Sequence, residues 1–482
     1  MRAQKTETAR PGSPDKRCNE RAARSAALLS LLDLPVSYIG LGFFRAWITL
    51  LTGGSLAIGF NGLLHDGALC AILLVAALFA NRLVPLAWRR WAMVASLGCA
   101  LASVAFMLGA IQIPRLALGL RTAGTVLAAC ASALYILMWC EFYACLSPIT
   151  TAMAIALAII WGEALLFLLA GMTVPYRLGA LALLPALSTV CLVRARSRLA
   201  PEARPQPSDG PLHAPWELIA LVSLYAFTEG VCIGVSKTHA EAFTGAANVI
   251  AGGGLIALLL LFPRKLDLRV LVRSPLAVLV PLLLLIPFVG GARDTLAAAC
   301  TAFSSSVFTL AIFLVICDIV HTKAIPAVFL FGLEEAFADI ALPLGESLGS
   351  AQTAFHWPEA ASDVFMAVCI AVTVIALLAL FGSGTLEQRL GGGGLFGPGR
   401  MSQEADDVAV RQACERAVTT YDLTAREAEV VELLVQGKTI SQMCDELGIA
   451  RGTVKAHCEH IYTKAGVCSK RELRRLLGLE GR

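Results

Sequence analysis

The sequence predicts an all-α protein in two parts. The first is a twelve-helix transmembrane bundle arranged six plus six. The second is a small soluble four-helix domain at the C-terminus. Three observations carry this expectation. The 482 residues are 57% hydrophobic and only 15% charged, with a mean hydropathy of +0.72, whereas soluble chains are about 25% charged. The apolar residues come in long unbroken runs, which suits a bilayer and not an aqueous core. The last sixty residues instead show capped, amphipathic, glycine-terminated helices.

In chain order, residues 1–34 are polar and rich in Lys and Arg. They lack the pattern of a cleavable signal and read as a cytoplasmic basic arm. Six apolar runs follow, at 37–60, 64–81, 91–110, 117–140, 148–170 and 176–193. A polar, proline-bearing central loop covers 194–215. Six more runs lie at 216–236, 243–262, 274–291, 295–317, 325–350 and 361–381. Each is near the roughly 20 residues that cross a bilayer. The membrane domain is thus expected at 35–381, with halves 35–193 and 216–381.

Lys and Arg fix the expected orientation. The arm, Arg82, Arg89, Arg90, Arg194, Arg196, Arg198, Arg204, Arg264, Lys265, Arg269, Arg273 and Lys323 fall on one side. Arg115, Arg177, Lys237 and Arg293 fall on the other. The richer side is expected to be cytoplasmic, in a bacterial inner membrane, with both termini inside.

Six spans, a long loop and six spans resemble the major facilitator superfamily. Each half places a basic loop after its second span, at Arg82–Arg90 and Arg264–Arg273, a weak internal repeat. The glycines and the Asp that this family usually carries in the first loop are missing here.

Ionisable residues inside spans are costly and face a cavity or a partner. Arg45, Glu163, Glu229, Glu334, Glu335 and Asp339 are of this kind. Glu335 and Asp339 are four apart and share a helix face. In the family that the topology resembles, the first and seventh spans line a central cavity. Arg45, Glu229, Glu335 and Asp339 are therefore the candidate ligand-binding residues for an unknown small molecule. Arg45 could hold an anionic ligand or pair with one of the acids, or equally snorkel to the interface. Glu141, near a span end, is expected at the interface.

Residues 382–416 read as a flexible linker, with Gly391–Gly394, Gly397 and Gly399. The domain at 417–482 opens with a capping box, Thr424 and Glu427. Its first helix carries Val430, Val431, Leu434 and Val435, and Gly437 is the expected stop. Thr439 and Gln442 repeat the box before Ile440, Met443 and Leu447, and Gly448 ends that helix. A third helix shows Val454, Cys458 and Ile461 on one face and a polar surface elsewhere. Two short helices around a glycine-bearing turn describe a helix-turn-helix.

Leu423-Thr424, Arg426-Glu427, Glu429-Val430, Gly437, Leu447, Ile449, Gly452-Thr453-Val454-Lys455, His457, Ile461, Lys464, Gly466-Val467 and Glu472-Leu473 together resemble the LuxR-type (NarL/FixJ-type) helix-turn-helix. The resemblance implies four helices, the third in the DNA major groove and the fourth pairing two copies. The DNA-binding candidates are Arg451, Thr453, Lys455, Ala456, Glu459, Lys464, Lys470 and Arg471. Ala450 stands where the family has a Ser cap.

The fifteen cysteines show no Cys-x-x-Cys pair and no zinc spacing. No nucleotide fingerprint or catalytic motif is present in the sequence, so no cofactor, metal or enzyme activity is expected. The whole chain resembles membrane-bound LuxR-type regulators: a one-component transcriptional regulator that senses a small molecule and binds double-stranded DNA as a homodimer. A secondary transporter with a regulatory DNA-binding tail, or a membrane scaffold, are the alternatives.

Overall fold

A computed structural model describes residues 34–261, 293–382 and 414–477, apart from 54–55, 57–58, 200–202, 209, 211, 236–240, 324, 415–416, 419, 436–437 and 468. The basic arm, the run at 274–291, almost all of the linker and Gly437 lie outside the described residues. Contacts divide the chain into two compact units, one built mainly from residues 34–398 and one holding the residues from Gly399 onward.

The larger unit is helical throughout its described residues. Its helices are α1 Leu41–Thr52, α2 Gly62–Leu78, α3 Arg90–Gln112, α4 Ala117–Ala144, α5 Pro148–Ala170 and α6 Val174–Arg196. The second half adds α7 Trp216–Val235, α8 Glu241–Leu261, α9 Arg293–Lys323, α10 Ala327–Ala354 and α11 Glu359–Gly382. Every expected run has its helix except the one outside the described residues. Local signals start several of them. Asn61 accepts the N–H of Leu64 at the head of α2. Ser147 accepts that of Thr150 ahead of α5, whose first residue is Pro148.

Eight described helices are long and apolar enough to cross a membrane, and a ninth if the bent segment from Gly62 to Trp88 is one span. Two expected spans fall short of that measure for physical reasons. α1 has only 12 residues, about 18 Å of rise. α10 carries Glu334, Glu335, Asp339 and Glu346, which dilute its hydropathy.

The halves repeat one packing scheme. α1 packs on α5 and α6, and α7 packs on α10 and α11. Glycines permit the closest of these contacts. A Cβ at Gly42 would overlap the carbonyl of Ala158 on α5. On α7, Gly230 and Gly234 meet the backbone of α10 at Leu342 and Glu346, while Gly345 and Gly349 meet α7 at Phe227 and Val231. Two small-xxx-small faces therefore cross with their backbones in contact. Between the halves, Gly332 of α10 approaches Leu73 of α2, and Gly252 of α8 approaches Ala156 of α5. Among the described residues, the likeness of the two halves is a property of the packing as well as of the hydropathy.

Glu141, at the end of α4, does not face outward. It is fully buried and accepts the N–H of Ala87 at 2.6 Å. Arg196 donates to the carbonyl of the same Ala87 at 3.0 Å. A carboxylate at a span end can thus be drawn inward to satisfy a buried loop amide.

Candidate functional site

The smaller unit contains α12 Ala425–Val435, α13 Ile440–Leu447, α14 Arg451–Ala465 and α15 Lys470–Leu476. Its core is Leu423, Val430, Val431, Leu434, Val435, Met443, Val454, Cys458, Ile461 and Leu473. Cys414 and Ala417 join that core, so it reaches back into the stretch read as linker. Both capping boxes form. Thr439 accepts the N–H of Gln442, whose side chain takes the Thr439 N–H at 2.9 Å. Gly448 and Gly466 end α13 and α14 at φ +62° and +68°, where only glycine is unstrained. Ala450 supplies no side-chain cap to α14.

α14 buries Val454, Cys458 and Ile461. Arg451, Thr453, Lys455, Ala456 and Glu459 are all exposed on the same helix. They form a continuous polar surface that faces away from the core. Arg426 holds the turn beneath it by donating to the Leu447 carbonyl at 2.8 Å. That bond ties α12 to the end of α13.

Two nominated lysines have other work. Lys464 donates to Glu427 at 2.7 Å and to the carbonyl of Asp422 at 2.9 Å. Lys470 donates to the carbonyl of Lys438 at 2.8 Å. Both ammonium groups are engaged inside the domain. Arg471 lies on α15. The sequence signals for Lys464 were its basic charge and its place in the LuxR-type pattern, and neither distinguishes a phosphate partner from a buried carboxylate.

Glu427 is therefore a structural hub. It accepts the N–H and hydroxyl of Thr424 at 2.8 and 2.9 Å, as well as Lys464. The Lys464 ammonium, then the Thr424 N–H, hold its carboxyl down from the ordinary 4.5 to about 2. The folded value lies below the unfolded one. The interaction is thus fully present above about pH 4.5 and is lost as pH falls toward 2. Because Lys464 is at the surface, solvent screening reduces its worth to about 1–2 kcal/mol. Urea melts of the isolated domain at pH 7, 4 and 3 should show this loss. Glu427→Gln should flatten the wild-type excess, and an unchanged slope would remove Glu427 from the account.

In the larger unit, Arg45 of α1 lies 3.9 Å from Glu163 of α5 and within Coulombic range of Glu335. Glu163 also accepts from Asn248 of α8 at 2.7 Å. Asn248 accepts the Ser306 hydroxyl of α9 at 2.8 Å. Glu335 and Asp339 interact along α10, and Asp339 is in range of Asp66. Arg45, Glu335 and Asp339 thus belong to one electrostatic group. Glu229 instead takes a hydrogen bond from Ser305, beside Tyr225, whose hydroxyl bonds Ser304 at 2.6 Å. Glu163, Asn248 and Asp66 complete the group and were not nominated. Glu163 was legible as a charge in a span, but its pairing with Arg45 is a tertiary fact.

Among the described residues no group of three or more His, Cys, Asp or Glu could hold a metal ion.

Residues 422–477 match the family "Bacterial regulatory proteins, luxR family". A protein of Aeromonas salmonicida, described as an HTH-type transcriptional regulator in the exeN 3' region, is 38% identical over 73 residues. Those residues are 14% of this chain and 37% of that protein. The spore germination protein GerE of Bacillus subtilis (strain 168) is 49% identical over 45 residues, 9% of this chain and 61% of GerE. The chain thus spans less than two thirds of the length of these curated relatives. The membrane unit resembles a solved bacterial homologue of the iron transporter ferroportin in its outward-facing state. The TM-score is 0.53 at 12% identity, over 76% of this chain and 99% of that one, a likeness of fold alone. The chain carries, at residues 422–477, a LuxR-family helix-turn-helix domain, joined to a membrane unit with a transporter-like helical fold.

Proposed function

We propose that this protein is a one-component transcriptional regulator held in a bacterial inner membrane. The observation that carries the proposal is the exposed polar face of α14, set on a LuxR-type core in the same chain as a membrane unit. In this reading the C-terminal domain binds double-stranded DNA and the membrane unit senses a small molecule. Arg89 donates to the Arg82 carbonyl and Arg196 to the Ala87 carbonyl, so the loop rich in arginine after α2 meets the arginine-rich end of α6, which supports cytoplasmic termini. The DNA-binding domain would then face the nucleoid.

The contact residues proposed are Arg451, Thr453, Lys455, Ala456 and Glu459, with Arg471 at the flank. Lys464 and Lys470 act mainly by holding the domain together. Leu476 on α15 is 47% exposed, an apolar side chain placed to pair two copies on two half-sites. The small unit has its own core, so the segment from Gly399 can be tested by itself. It should bind DNA in a salt-dependent manner, because phosphate contacts dominate affinity. Lys455→Ala should weaken specific binding by about 1–3 kcal/mol. Lys464→Ala should lower the melting temperature and leave the affinity of the folded fraction nearly unchanged. Gel shifts and footprints read both. Unchanged affinity in Lys455→Ala would take that residue off the recognition surface.

The transporter-like fold favours a second reading, a transporter with a regulatory DNA-binding tail. Uptake into vesicles that is lost in a membrane-unit variant would support it.

A further inference from the structure

An open cleft of about 800 Å³ lies where the connection between α1 and α2, the start of α4 and the last turns of α10 meet. By the alternation of the helices, this is the end of the bundle opposite Arg82, Arg90 and Arg196. Its walls include Phe60, Asp66, Leu118, Arg121, Leu342 and Glu346. It is separate from the Arg45–Glu163 pair.

Asp66 is fixed by a neighbouring side chain, and Arg121 lies against a loop. Buried His65 bonds one Asp66 oxygen at 2.9 Å and reaches Ser132 at 3.4 Å with its other nitrogen. The Asp66 side chain nevertheless stays 38% exposed. Arg121 lies against the backbone at Gly59, where φ is +75° and a Cβ would come within 2.6 Å of Nε. Behind Asp66 stands Asp339, within its electrostatic reach. Asp339 keeps one buried oxygen with no hydrogen-bond partner among the described residues. Glu335 and Arg45 follow.

We propose that this cleft, walled by Asp66, Arg121 and Glu346, is where the signal binds, and that the signal is a small organic cation arriving from the extracytoplasmic side. Two carboxylates oppose one guanidinium, so the walls favour positive charge. Phe60, Leu118 and Leu342 offer an apolar body its contacts, and Arg121 accommodates an acceptor atom on the same ligand. The site rests on the regulator reading above and on its orientation, and it deepens both by naming the side of entry and the ligand's charge.

The test uses the full chain in intact cells with Ser347→Cys, which places a thiol on the wall formed by α10. Two membrane-impermeant methanethiosulfonates serve as probes, one ending in trimethylammonium and one in sulfonate. The thiolate attacks the sulfenyl sulfur, a disulfide forms and methanesulfinate leaves, so the chemistry is the same for both. Rates are divided by those on free 2-mercaptoethanol, and the wild-type chain supplies the background from native cysteines. The normalised cationic rate should exceed the anionic rate by about 10-fold. Asp66→Asn with Glu346→Gln should bring the ratio close to one. Equal normalised rates at Ser347→Cys would overturn the ligand class. Modification only in inverted vesicles would overturn the side of entry. Thr122→Cys, on the facing wall, repeats the measurement should Ser347→Cys not fold. The readout involves no DNA. A tail that fails to bind DNA would therefore sink the regulator reading and leave this result standing.

Discussion

Gly345→Leu should abolish the folded membrane unit. Gly345 sits where α10 crosses α7, and even a Cβ there would overlap the carbonyl of Phe227. The obstacle is backbone, so no rotamer change relieves it. Gly349 repeats the problem one turn on, where a Cβ would come within 2.5 Å of the Val231 carbonyl oxygen. Gly230 and Gly234 face them from α7. A leucine must push the helices apart and forfeit the contacts of the whole crossing. Overpacking of a core costs about 1–3 kcal/mol where side chains can adjust, and here more than about 3 kcal/mol is expected because they cannot. α10 also packs on α2 across the halves, so the damage does not stay local. Size-exclusion profiles and melting curves of the full chain in detergent read the effect. Gly345→Ala should fall between wild type and Gly345→Leu. A Gly345→Leu protein that melts like wild type would mean that the two helices do not cross this closely.

The sequence made the small domain almost fully legible. Its signals are local: a cap three residues before its acid, apolar positions three and four apart, a glycine at each left-handed stop. The burial of Val454, Cys458 and Ile461 followed from periodicity, and so did the exposure of Lys455 and Glu459. The bond from Lys464 to Glu427 was not legible because the two lie 37 residues apart, and no pattern announces that distance. In the membrane unit, the runs announced the helices but not their neighbours. Gly230-x-x-x-Gly234 and Gly345-x-x-x-Gly349 were the signal available for the closest crossing, since such spacing lets backbones touch. The burial of Glu141 was not legible because position along a span says nothing about which loop folds back on it. The cleft at Asp66, Arg121 and Glu346 draws on three helices far apart in sequence, and its residues gave no shared motif.

The pair Arg45 and Glu163 should behave as a coupled unit in which the two changes together cost less than the sum of the single ones. Arg45 comes from α1 and Glu163 from α5, in the first half. Asn248 and Ser306, which continue the network, come from α8 and α9 in the second. Arg45→Ala leaves Glu163 and nearby Glu335 without their cation. Glu163→Gln leaves the guanidinium without its carboxylate. Breaking a fully buried pair costs about 3–5 kcal/mol. The cost here should be nearer 2 kcal/mol, since Arg45 keeps 35% of its side-chain surface exposed. The double variant should recover at least about 1 kcal/mol of the summed loss, measured as a double-mutant cycle in detergent melts. The same variants test coupling to transcription. A signal acts only by favouring one conformation of the membrane unit over another, and a network that joins both halves is placed to set that balance. Arg45→Ala should therefore shift the output of a reporter gene in cells, with the DNA affinity of the matching C-terminal segment unchanged. If melting, cycle and reporter all match wild type, the network neither holds the halves nor transmits between them, and the coupling must run through the contact of α2 with α10.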